Sequence, residues 1–172
     1  IRPVFLECGG LIGTFDPTEC LFFAFASPSG PYFGGGGIKP IRMMLNETHV
    51  RAAPGGVGWC KHAGNYAPTF VPVKEARAKG CTQVLFTTEG YVGECAAMNV
   101  FFLIEKEDGT AELVTPPLDD GTILPGVTRQ SVLDLARAGA FSELMPKHFD
   151  ISERPLPVAE LKAAGQAGRL LD

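Results

Sequence analysis

Gly55-Gly56-Val57-Gly58-Trp59-Cys60-Lys61-His62-Ala63-Gly64-Asn65-Tyr66-Ala67-Pro68 is the stretch on which the reading of this chain turns. A glycine-rich turn delivers Lys61, and a tyrosine follows five positions on. The residues between are too small and apolar to make an ordinary solvated charged face. A lysine in apolar surroundings loses the hydration that favours its ammonium form, so its pKa falls toward neutrality and its amine becomes nucleophilic. The chemistry that most often uses such an amine is imine formation with a carbonyl compound. The competing reading is a surface lysine that snorkels from a loop into water, so the rest of the chain has to decide between them.

The sequence has 172 residues, 45% of them hydrophobic and 20% charged, which suits a folded domain and argues against disorder. No apolar run reaches the roughly 20 residues that a membrane-spanning helix needs. A net charge of −4 gives no footprint for nucleic acid. The five cysteines, Cys8, Cys20, Cys60, Cys81 and Cys95, are odd in number and lack C-x-x-C spacing. They therefore read as free thiols of a reducing compartment, cytoplasm or mitochondrial matrix, in a protein that is not secreted, rather than as a disulfide framework or metal site. Both ends look cut: Ile1-Arg2-Pro3-Val4 opens inside a strand pattern, and Gly168 to Asp172 stops without a closing element.

Along the chain, Pro3 to Glu7 reads as a short strand, and the dense run Cys20 to Ala26 as a strand buried on both faces. Four glycines, Gly34 to Gly37, suggest phosphate cradling. The G-K-[ST] of a P-loop is absent, which leaves a flexible loop with Tyr32 near its start. Further strands are expected at Ile38 to Leu45, Gln83 to Thr87, Met98 to Ile104, Ala111 to Thr115, Thr122 to Leu124 and Ile151 to Arg154. Asp108-Gly109 marks a hairpin turn before Ala111. Helices are expected over Pro68 to Lys79, with Gly80 beyond its end and Pro72 confined to the first turn or kinking it, then from Pro125 to about Ala138, and near Val158 to Ala164.

Three further features suit a pyridoxal phosphate site. Glu94 enters an apolar strand, and a buried carboxylate needs a cationic partner, which a protonated pyridine nitrogen would supply. Leu124-Pro125-Gly126-Val127-Thr128-Arg129 sets free amides at a helix N-terminus, a ready site for a phosphate. Tyr66 offers a hydroxyl for the cofactor's ring oxygen. Each alone is weak, since a Pro-Gly helix start is common and Glu94 suits a rim position equally well.

In this order the features resemble the fold-type IV, class IV pyridoxal-phosphate-dependent aminotransferases, and more closely the branched-chain-amino-acid aminotransferases. The likeness is carried by Gly55 to Gly58 with Cys60-Lys61, by Gly64-Asn65-Tyr66-Ala67-Pro68-Thr69, by Glu94 with Met98-Asn99-Val100-Phe101, and by Leu113 to Pro117 with Ile123 to Arg129. It implies a mixed α+β fold in which a strongly curved sheet approaches a pseudo-barrel with helices outside. Residues 1–172 would form most of the large cofactor-binding domain, with an N-terminal small domain and the C-terminal end lying outside this sequence. Lys61 would hold the cofactor covalently and shuttle the proton. Tyr66 would meet the ring hydroxyl, Glu94 the pyridine nitrogen, and the amides of Val127 and Thr128 the phosphate. Arg2 and Tyr32 match positions that line the family's substrate pocket, and no metal is implied. The implied reaction moves the amino group of leucine, isoleucine or valine to 2-oxoglutarate. The implied partners are an amino acid, a 2-oxo acid and, at full length, a second copy of the chain, with no nucleic acid or membrane. Ala96 and Ala97 depart from the glycine and polar residues frequent in relatives, and His62 replaces a small neighbour of the lysine. The rivals are a D-amino-acid aminotransferase or an aminodeoxychorismate lyase of the same fold, and a truncated scaffold without activity.

Overall fold

Residues 1–10, 12–30, 39–141, 143 and 149–171 are described by a computed structural model, in which the chain divides into two units, Ile1–Pro40 and Ile41–Asp172. In the first unit β1 (Arg2–Cys8) pairs with β2 (Glu19–Phe25) as an antiparallel ribbon, in register from Arg2 opposite Phe25 to Cys8 opposite Glu19. The sequence predicts a strand buried on both faces here. Instead every residue of β2 is exposed, because a two-stranded ribbon leaves both faces open. The period of two still operates: Phe23 and Phe25 share a face, with ring centroids 6.4 Å apart. Tyr32 and the glycine run Gly34 to Gly37 lie outside the described residues.

The second unit holds β3 (Met43–Asn46), α1 (Phe70–Ala78), β4 (Gln83–Thr88), β5 (Tyr91–Cys95), β6 (Phe102–Glu105), β7 (Ala111–Thr115), α2 (Val127–Arg137), β8 (Phe149–Glu153) and α3 (Val158–Gln166). These strands form two three-stranded sheets, ordered β3-β4-β5 and β6-β7-β8. The parallel pairs, β3 with β4 and β7 with β8, are each joined by a helical crossover, while the antiparallel pairs need only tight turns. Glu89 and Gly90, both at positive φ (52° and 84°), turn β4 into β5 as a two-residue hairpin connection does. The expected Asp108-Gly109 turn does the same for β6 and β7, closed by Lys106 N–H donating to the Thr110 carbonyl at 2.7 Å. The mixed α+β expectation holds, with strands and helices interleaved along this unit.

β4 is buried on both faces. Val84 and Phe86 meet Ala76 of α1 and Ala96, whereas Leu85 joins a larger core with Val92, Cys95, Phe102, Ile104, Val114, Leu156 and Leu161. That core spans both sheets. The far edge of β5 is closed by the segment entering α3, through Val92 N–H to the Leu156 carbonyl and Val158 N–H to the Gly90 carbonyl, both 2.9 Å. Pro72 sits in the first turn of α1, where no backbone donor is required, and Gly80 follows the helix at φ 74° as its left-handed stop. Three strand expectations are shortened or lost. Of the expected strand Ile38 to Leu45, Ile38 lies outside the described residues, 39–42 are not strand, and β3 starts at Met43. Met98 to Val100 lie in the loop between β5 and β6, where the Met98 carbonyl accepts from Cys95 N–H at 2.9 Å. Thr122 to Leu124 pair with no strand among the described residues; the Leu124 backbone is spent on the site described next.

Candidate active site

Lys61 is held by its backbone rather than by its side chain. Asn65, buried, donates from Nδ2 to the carbonyls of Val57 (2.7 Å) and Cys60 (2.9 Å), and Trp59 N–H bonds the Gly121 carbonyl at 3.0 Å. Gly58 makes this possible: a Cβ there would lie 2.5 Å from the Thr122 carbonyl oxygen and 2.7 Å from the Ala52 Cβ. His62, outward-facing, accepts from Gly64 N–H at Nδ1 (3.0 Å) and so caps the single helical turn Ala63–Asn65. Its presence beside the lysine is thereby explained as a turn-former. A second single turn, Ala67–Thr69, leads into α1. The Lys61 side chain itself is exposed, contrary to the apolar enclosure read from its neighbours. Small residues leave room around a lysine as readily as they bury it. Lys61 Nζ lies 5.1 Å from the Tyr66 ring centroid, and the Arg51 guanidinium 5.9 Å from the same ring. The tyrosine is therefore the meeting point of two cations.

Glu94 is the opposite case, 4% exposed. β5 carries one residue more than β4 between the pairs Val92–Thr87 and Cys95–Leu85, so a bulge sets Gly93 and Glu94 together opposite Phe86. Without it Glu94 would follow Val92 into the apolar core. With it Cys95 takes that place and the carboxylate turns away. Oε1 accepts from Leu124 N–H (3.1 Å) and faces Arg51 Nη1 at 2.6 Å, and Oε2 accepts from Asn99 Nδ2 (3.1 Å). Burial pushes the carboxyl up to about 7, against the downward pull of Arg51, of the Leu124 amide and of Lys61. Arg51 is as buried as its partner, yet its Nε and Nη1 direct no hydrogen bond to any described residue; the 2.6 Å approach to Glu94 is a charge contact without hydrogen-bond alignment.

α2 begins at Val127 with Gly126 as its cap residue in extended conformation, φ −69° and ψ 135°. The glycine is needed for space, not for an unusual φ: any Cβ on Gly126 would collide with Asn99 Oδ1. Val127 is exposed, and a cleft of about 360 Å³ lined by Leu118, Pro125, Gly126, Val127, Arg129 and Gln130 opens at this helix start. A similar cleft of about 370 Å³, walled by Pro54, Pro116, Pro117 and Pro155 with Glu89, Asp119 and Asp120, contains none of the predicted residues and offers carboxylates where a phosphate needs donors.

Lys61, Tyr66 and Glu94 are thus brought together around Arg51, and Glu94 is bonded to the segment that opens α2. Arg2 stands at the start of β1 in the first unit, exposed; Tyr32 lies outside the described residues. Sequence reading missed Arg51, Asn65 and Asn99. Asn99 left a signal, being the polar residue in the apolar run from Met98 to Ile104, and a polar group there must find partners. Among the described residues no cluster of three His, Cys, Asp or Glu side chains is placed to hold a metal ion.

Residues 21–167 match the family model of class IV amino-transferases, and the chain belongs to that family, whose members depend on pyridoxal phosphate. Over 172 residues it is 42% identical to the mitochondrial branched-chain-amino-acid aminotransferase of Rattus norvegicus, 99% of this chain covering 42% of that protein. The corresponding figures for the cytosolic enzyme of Ovis aries are 41% identity, 99% and 43%. Among solved structures, the branched-chain aminotransferase of Thermoproteus uzoniensis with norvaline superposes with a TM-score of 0.61 at 26% identity, over 84% of this chain and 42% of that one. A putative 4-amino-4-deoxychorismate lyase from Legionella pneumophila superposes at 0.55 with 25% identity, over 84% and 45%. The chain spans less than half the length of these relatives.

Proposed function

We propose that residues 1–172 are most of the large cofactor-binding domain of a pyridoxal-phosphate-dependent aminotransferase, with a small domain and a C-terminal end supplied by further chain. The full protein would move the amino group of leucine, isoleucine or valine to 2-oxoglutarate as a homodimer in a reducing compartment. The observation that carries the reading is the buried Glu94, a carboxylate with three partners that still rests near pKa 7. Such a group accepts one more cation readily, and a protonated pyridine nitrogen is one. The unaligned donors of Arg51 beside Tyr66, and the open first amides of α2, give the residues present a fit to the rest of that cofactor.

When bound, pyridoxal phosphate supplies an electron sink for negative charge at the substrate's α-carbon. Lys61 Nζ, on its pinned backbone, takes and returns the proton at that carbon. Tyr66 presents its hydroxyl to the ring oxygen, and its face keeps the Lys61 ammonium close. Glu94 holds the pyridine nitrogen charged, and Arg51 favours the carboxylate form of Glu94 against its burial. Val127 and Thr128 amides hold the phosphate with the positive end of the helix. Arg2 and Tyr32 are assigned to the substrate pocket on the family resemblance alone.

The test uses the full-length protein. Cofactor addition should give a visible absorbance band, and borohydride should then leave the cofactor's mass on the peptide containing Lys61. Donor assays should show transamination with branched-chain amino acids and 2-oxoglutarate. Turnover of D-alanine or aminodeoxychorismate instead would move the protein to another branch of the family, and no label at Lys61 would overturn the reading.

A further inference from the structure

We infer that Asn99 is a positioning residue, which fixes the span between Glu94 and the N-terminus of α2 with Gly126 as its seat. This rests on the reading of those two groups as opposite ends of the cofactor site.

Asn99 belongs to the loop between β5 and β6, and it reaches two places at once. One Nδ2 hydrogen goes to Glu94 Oε2 at 3.1 Å, the other to the Leu124 carbonyl at 2.8 Å. Both partners are acceptors, so the amide can face only one way. Its oxygen then points at Gly126, close enough that no side chain fits there. Leu124 returns a bond from its N–H to Glu94 Oε1 at 3.1 Å, closing a three-membered ring of Glu94, Asn99 and Leu124. Rotating the carboxylate breaks the two bonds that Glu94 makes, and sliding α2 breaks the two that Leu124 makes or drives Gly126 into the amide. The carboxylate and the helix amides are therefore held at one separation before any ligand arrives, which is the preorganisation that a two-ended ligand profits from. No single substitution reproduces this. Aspartate at 99 has no donor, serine reaches one acceptor at most, and glutamine is a methylene too long.

A two-ended ligand should feel the loss of the ring, and a one-ended ligand should not. In the full-length apoprotein, binding of pyridoxal phosphate, of pyridoxal and of inorganic phosphate is measured by calorimetry for the parent and for Asn99→Ala. Pyridoxal phosphate should weaken about tenfold or more, and the other two by less than about threefold. A second readout needs no ligand. Gly126→Ala should lower the thermal midpoint of the apoprotein, and Asn99→Ala in the same chain should recover most of that drop by removing the colliding oxygen. Equal weakening of all three ligands, or an unchanged affinity for pyridoxal phosphate, would overturn the proposal, as would a Gly126→Ala defect indifferent to residue 99. If the parent binds pyridoxal phosphate no tighter than pyridoxal, the cofactor reading itself fails, and the positioning role falls with it even where the 99–126 coupling persists.

Discussion

Glu94 and Lys61 are neighbours in charge but opposites in construction. The carboxylate is sealed, re-aimed by a bulge and bonded by side chain and backbone from three separate segments. The lysine has its backbone pinned by Asn65 and Gly121 while its side chain stands in the open beside Tyr66. The group proposed to set the electronics is thus fixed by the fold, and the group proposed to move protons stands exposed. Buried charge is placed where orientation matters, and the open side chain where an amine has to reach a substrate.

The largest expected effect comes from breaking the exposed half. Lys61→Ala should reduce transamination by at least about a thousandfold, while unfolding free energy changes by less than about 0.5 kcal/mol, since an exposed side chain is lost. Turnover and thermal melts on the same preparation check this, and a large loss of stability would show that the lysine is a structural part after all.

Next comes the rigid half, through its titration. Glu94 keeps its proton in the folded chain up to about 7, against an ordinary 4.5 when unfolded. Between those values the folded state binds more protons than the unfolded one, so this group's contribution falls as pH rises and is constant above about 7. The full swing is about 3 kcal/mol. Apoprotein denaturation at pH 5 and pH 8 should show it, and Glu94→Gln should remove it. A parent and variant with parallel pH profiles would mean the carboxylate is not buried as described.

The smallest effect is a control of opposite sign, away from the site. Arg154 forks between Glu112 (2.8 Å) and Glu160 (2.5 Å), joining β7 to α3. Its hydrogen bond to Glu112 holds that carboxyl down at about 2, so this stabilisation is complete above 4.5 and lost as pH falls toward about 2. Arg154→Met should cost about 1–2 kcal/mol near neutral pH, discounted for the partly exposed guanidinium, and should flatten the acid limb of the denaturation profile. Turnover should be unchanged.

What the sequence disclosed follows the range of the forces involved. The Asp108-Gly109 turn, the glycine stop at Gly80 and the start of α2 were legible because each is settled within four or five residues. Lys61, Tyr66 and Glu94 were legible as an ordered set that resembles a family. Arg51 was not, since an arginine is buried only if a carboxylate more than forty positions away is waiting for it. The bulge at Gly93 and Glu94 depends on the partner strand and has no local spelling. The exposure of β2 shows the same limit from the other side: an apolar run states what a strand could cover, not what lies against it.

Cys95 gives the sealed region a clock. Its thiol is 1% exposed, lies 3.7 Å from the Met43 sulfur, and is pushed up to about 12 by burial and by the neighbouring carboxylate. Alkylating reagents attack the thiolate, so this thiol reacts only when β5 opens, whereas Cys8, Cys20, Cys60 and Cys81 are all at least partly exposed. Four thiols should label early and one late. The lag of that last label counts how often the strand bearing Glu94 comes apart, and any ligand gripping Glu94 will stretch it in proportion to the grip.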